Sequence, residues 1–172
     1  AFEVLADPLT HPEGAVRAEL VRLLARAAGA AGMVGGQALD LAAESAGRQT
    51  LESVLRLQRC KTGALIAWSA EAGAVLAEAD AQTRAALCAF GEELGAAFQI
   101  ADDLLDVTSD TATLGKAAGK DESAGKATVI GLLGVDRARA DAERLAASAV
   151  SRLDFFGPEA EPLRQIARFV VE

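Results

Sequence analysis

A chain of 172 residues, 51% hydrophobic and 24% charged, is long enough for one domain with a buried core and too apolar to be disordered. Its 25 acidic side chains against 17 Lys and Arg give a formal net charge of −8, which argues against a general nucleic-acid surface, because phosphate backbones select an excess of cations. Ala and Leu dominate while Val, Ile, Phe and Thr are sparse, so an all-α fold is expected over 1–172, with no strand and no repeat.

Cys60 and Cys88 form no CxxC pair and read as reduced thiols of a cytosolic protein. No N-terminal stretch has the makeup of a signal peptide, and the longest polar-free run, 27–36, is too short to span a bilayer. The chain opens Ala1-Phe2-Glu3, without Met, and reads as a fragment that starts inside a helix.

Residues 13–41 have helical periodicity. Val16, Leu20, Leu23, Leu24 and Ala27 recur at three- and four-residue spacings, with Arg17, Glu19, Arg22 and Arg26 off that face. Gly32 and Gly36 in its Gly-rich tail favour tight packing in a soluble bundle. Thr50 is a good N-cap, with an acidic first turn behind it, for a helix that carries Val54, Leu55, Leu57 and the pair Lys61-Thr62. Gly63 permits either a kink or continuation. Residues 64–78 are apolar nearly all round, as befits a central helix. The third long helix is expected over 81–107, with Leu87, Phe90, Leu94, Ala97, Phe98, Leu104 and Leu105 as its core stripe, followed by a polar loop over 108–127. Helices over 135–151 and 158–171 close the chain, Pro158 and Pro162 suiting helix starts or the preceding turn.

The densest chemistry is Phe98-Gln99-Ile100-Ala101-Asp102-Asp103-Leu104-Leu105-Asp106. On a helix Gln99, Asp102, Asp103 and Asp106 share one face, so three carboxylates repel one another there, and Asp is a poor helix-interior residue besides. Local rules broken together mark a functional site. A hard divalent cation resolves the conflict: Mg²⁺ takes carboxylate oxygens, keeps several waters and completes its octahedron with substrate phosphate. The bland reading is a solvated acidic face. Apolar flanks on both sides favour carboxylates that point from a buried helix into a cavity.

Three Gly-Lys pairs follow, ending at Lys116, Lys120 and Lys126. Lys is a point-charge phosphate binder, and Gly lets backbone approach an anion. A P-loop fails, because GxxxxGK[ST] needs Gly at 120 and Ser or Thr at 127, where Lys120 and Ala127 stand. The alternatives are a phosphate-binding lid and a solvated surface loop. Lys61, beside a very apolar helix, requires a counter-charge or an anion unless it snorkels to solvent. His11 lies in a Pro-flanked loop with no partner set for zinc.

Four segments in this order and spacing resemble the trans-isoprenyl diphosphate synthases, the polyprenyl synthetase family, and its bacterial short-chain farnesyl and geranylgeranyl diphosphate synthases in particular. They are Gly35-Gly36-Gln37-Ala38-Leu39-Asp40, Lys61-Thr62-Gly63-Ala64-Leu65, Phe98-Gln99 with Asp102-Asp103-Leu104-Leu105-Asp106, and Thr113-Leu114-Gly115-Lys116. The resemblance covers essentially the whole chain but only the family's second half. It implies an isoprenoid-synthase-type helical bundle, here an N-terminally truncated part of one. It further implies that isopentenyl diphosphate is condensed with an allylic diphosphate to give farnesyl or geranylgeranyl diphosphate. Asp102, Asp103 and Asp106 would bind Mg²⁺, with Mn²⁺ as the alternative ion. Lys61, Lys116 and Lys126 would contact the diphosphate, Gln99 and Thr62 would face the allylic cation, and the protein would be a homodimer. The chain departs from the family in lacking the first aspartate-rich motif, which lies upstream of Ala1 in relatives, so the fragment alone should not turn over. It also lacks the basic C-terminal tail, and no Pro follows Lys126-Ala127-Thr128. Two rivals remain: a non-catalytic partner subunit of a prenyl synthase, and a terpene cyclase of related fold.

Overall fold

The computed structural model describes the backbone of residues 1–45, 49–114 and 128–172, and the side chains of 1–44, 49–107 and 128–172. Among these residues every regular element is helical: α1 Phe2–Ala6, α2 Gly14–Ala28, α3 Met33–Ser45, α4 Leu51–Gln58, a π turn Arg59–Gly63, α5 Ala64–Leu76, α6 Ala81–Leu114, α7 Val129–Leu133, α8 Val135–Ser151, a 3₁₀ turn Pro158–Ala160 and α9 Glu161–Phe169. No helix among the described residues is long and apolar enough to cross a membrane.

The long helix α6 is the spine. It packs on α5 along one side and on α8 along the other, α2 covers the far side of α5, and α9 folds back on α8. Alanine makes the second contact close: Ala138, Ala142, Ala146 and Ala149 recur down one stripe of α8, and all are buried. One core gathers Phe90, Ala149, Leu153 and Ala167. A second gathers Val54, Ile100, Val129, Ile130, Ala138 and Ala142 beneath the acidic turn of α6. Arg84 binds Glu19 of α2 at 3.1 Å and Glu71 of α5 at 2.8 Å, fixing three helices at one point.

Several boundaries differ from the sequence reading. The periodic stretch 13–41 is two helices. Gly29 ends α2 with its N–H still on the Ala25 carbonyl, and its own carbonyl then receives the N–H groups of Gly32 and Gly35. Thr50 caps α4 as expected, in a reciprocal box with Ser53 (3.2 and 3.0 Å). Gly63 neither breaks nor kinks the chain but closes the π turn that joins α4 to α5. The third long helix runs on to Leu114 rather than stopping at 107. The expected loop therefore loses its first third to helix, and 115–127 lie outside the described residues. The short helix α7 was not anticipated; Thr128 caps it through the Gly131 N–H at 3.0 Å, and Gly134, at φ 82°, separates it from α8.

Candidate diphosphate and metal site

Two helical segments meet here with almost no side chain between them. A Cβ on Gly91 would lie 2.6 Å from the Ala67 Cα, and one on Gly95 would lie 3.0 Å from the Gly63 Cα, so only glycine allows α6 this close to α5 and the π turn. The approach brings opposite polar pairs into register. Gln58 and Thr62 stand four residues apart on one segment, Gln99 and Asp103 four apart on the other. Gln58 Nε2 donates to Asp103 Oδ2 at 3.3 Å, and Thr62 Oγ1 donates to Gln99 Oε1 at 3.3 Å. The π turn widens the helix at the residues that carry the polar groups, a device common at functional sites.

Lys61 turns the other way, towards α3. Its Nζ donates to Asp40 Oδ2 at 2.7 Å, and Asp40 is only 9% exposed. Gly36 lets the α3 backbone lie against that of Lys61, where any Cβ would collide. The counter-charge that Lys61 requires is thus supplied by a buried carboxylate one turn beyond Gly36.

The acidic turn is divided rather than uniform. Asp102 and Asp106, four residues apart, are both exposed, whereas Asp103 is half-buried. Burial pushes the Asp103 carboxyl up to about 6, and the charges of Asp102 and Asp106 push the same way against the Val129 N–H and Gln58, which hold it down. Asp103 thus has protein partners on α4 and α7, which Asp102 and Asp106 do not share. No group of three or more His, Cys, Asp or Glu able to hold a metal occurs among the described residues. The donors that do face outward fit Mg²⁺ all the same: two hard carboxylates, one helical turn apart, leave most of an octahedron to water and phosphate.

The apolar surround differs from expectation as well. Phe98 is 42% and Leu105 62% exposed, while Ile100, absent from the expected stripe, is buried at 3%. Among the described residues, Asp102 and Asp106 thus stand beside exposed apolar side chains. A surface hollow of about 260 Å³ between α2, α5 and α6 is lined by Val16, Glu19, Val75, Glu78 and Arg84 among others, and by none of the site residues. Lys116 and Lys126 lie outside the described residues. Sequence reasoning missed Gln58 and the pairing of Asp40 with Lys61. Gln58 was detectable as a polar residue four positions before Thr62, although Arg59 at three positions has the same claim.

The fold and site together define a helical protein with an oxygen-donor face on its central helix. The polyprenyl synthetase model matches residues 1–154, and the chain belongs to that family. It is 39% identical over 178 residues to the farnesyl diphosphate synthase of Escherichia coli K12, covering 100% of this chain and 59% of that protein. Among solved structures, an FPP/GFPP synthase from Zymomonas mobilis superposes with a TM-score of 0.87 at 43% identity, over 98% of this chain and 56% of that one. A geranyltransferase from Helicobacter pylori, solved with magnesium and isoprenyl diphosphate, superposes with a TM-score of 0.77 at 33% identity, over 99% and 55%. The chain spans somewhat over half the length of these relatives.

Proposed function

We propose that this chain carries the diphosphate-ionising face of a short-chain prenyltransferase, which condenses isopentenyl diphosphate with an allylic diphosphate head to tail. The observation that carries the reading is the paired register of Gln58–Asp103 and Thr62–Gln99, which sets the Lys61-Thr62 turn beside the exposed carboxylates of Asp102 and Asp106. The Helicobacter pylori relative with magnesium and isoprenyl diphosphate supports the ligand class.

Each residue's task follows from its chemistry. Asp102 and Asp106 hold Mg²⁺, with Mn²⁺ as the alternative ion. The bound ion supplies Lewis-acid stabilisation of the negative charge on the departing diphosphate. Lys61 offers ammonium donors to the same diphosphate, joined by Lys116 and Lys126. The allylic C–O bond breaks and its electron pair leaves with the diphosphate. Oxygen dipoles from Thr62 and Gln99 face the carbon left cationic. That carbon alkylates the double bond of isopentenyl diphosphate, and loss of a proton restores an alkene one isoprene unit longer. Farnesyl and geranylgeranyl diphosphate are the expected products, made in the cytosol by a homodimer.

The test is an assay of the intact protein that carries this chain, with dimethylallyl or geranyl diphosphate and Mg²⁺, with and without isopentenyl diphosphate. Chain elongation only when both substrates are present is expected. A cyclic hydrocarbon formed without isopentenyl diphosphate would contradict the reading in favour of a cyclase. Activity that appears only on mixing with a second, complete synthase would favour a partner subunit.

A further inference from the structure

Of the charged groups around the proposed site, Asp40 has no role in the chemistry just described. It is one of the few acidic side chains removed from solvent, at 9% exposure. Its carboxylate meets Lys61 Nζ at 2.7 Å, while the Lys61 side chain stays 38% exposed. The pair is therefore asymmetric: the acid is inside, and the ammonium lies at the boundary with donors to spare. An ammonium has three N–H groups, and one directed at Asp40 leaves two for an anion. The backbone contact at Gly36, one turn before Asp40, fixes the height of α3 against the π turn.

We propose that Asp40 is a positioning residue for Lys61, holding its ammonium where charge develops on the departing diphosphate. The inference rests on the assignment of Lys61 to the diphosphate. A lysine on a flexible four-carbon stem loses much rotamer freedom when it binds an anion, and a fixed carboxylate behind it removes that freedom beforehand. Removal of Asp40 should therefore leave substrate binding intact and impair the chemical step, a separation that a merely structural residue would not produce.

The test is a double-mutant cycle on kcat and KM in the intact protein, with Asp40→Asn, Lys61→Ala and the two combined, and melting temperatures as a control. Asp40→Asn should lower kcat at least about tenfold and leave KM for the allylic diphosphate within about threefold of the parent. On a Lys61→Ala background the same change should have no further effect. Where Asn loosens α3, Asp40→Glu keeps the charge but shifts it by a methylene, and the same kcat-only loss is expected. Three results would overturn the proposal: unchanged kcat in a folded Asp40→Asn protein, a rise in KM at constant kcat, or independent effects of the two changes. Wild-type turnover in Lys61→Ala would instead remove the diphosphate assignment itself, and this inference with it.

Discussion

The two ends of α6 obey different rules although they are one helix. Its first half, through Ala97, behaves like a core helix: Phe90 and Ala97 are buried, and Gly91 and Gly95 remove side chains so that α5 and the π turn can touch the backbone. Its second half exposes Phe98 and Leu105, spaces carboxylates where they repel, and half-buries Asp103 at a raised affinity for its proton. The first half is arranged for stability. The second gives up local stability where Asp102 and Asp106 turn outward.

The comparison predicts different failures at the two ends. Phe90→Ala should cost about 3–5 kcal/mol of stability, read by denaturant unfolding, because a cavity opens where α5, α6, α8 and α9 meet. Asp102→Ala should reduce turnover of the intact protein about 10²–10³-fold, as loss of one electrostatic stabiliser does elsewhere, without lowering the melting temperature. Its neighbour separates the two roles of the acidic turn. Asp103→Asn, isosteric and neutral, should melt at a higher temperature than the parent at pH 8 without Mg²⁺, since a half-buried charge beside two like charges is removed. A lower melting temperature would show that the Asp103 charge supports the fold.

The smallest effect lies at the far end of the spine. The Arg22 guanidinium holds the Glu19 carboxyl down to about 2, with Arg84 acting in the same direction against partial burial. A carboxyl depressed on folding adds stability above its ordinary value of 4.5, and that stability is lost as pH falls from there towards about 2. Parent and Glu19→Gln should therefore differ most in urea midpoint near pH 6 and converge near pH 2.

The same contrast explains what the sequence made legible. The core half of α6, the cap at Thr50 and the helical start at Pro158 follow from periodicity, capping chemistry and the fixed φ of proline, which are local. The cluster from Gln99 to Asp106 was visible because it violates those local rules. Its division was not, because whether a carboxylate faces solvent or the Val129 N–H depends on α7, which lies more than twenty residues along the chain. The break at Gly29–Gly32 was hidden for the opposite reason: the apolar pattern continues through it, and only a carbonyl taking N–H groups from Gly32 and Gly35 turns the chain. Asp40 could be named within a motif, but its partner could not be read from a sequence distance of 21 residues.

The central claim is that Asp102 and Asp106 together hold Mg²⁺ for a diphosphate. Titration calorimetry of the protein with inorganic pyrophosphate tests it directly, with and without Mg²⁺ and in the Asp102→Asn/Asp106→Asn variant. Binding that requires Mg²⁺ and disappears in the variant is predicted. Pyrophosphate binding of equal strength in the variant, or without the metal, would contradict it.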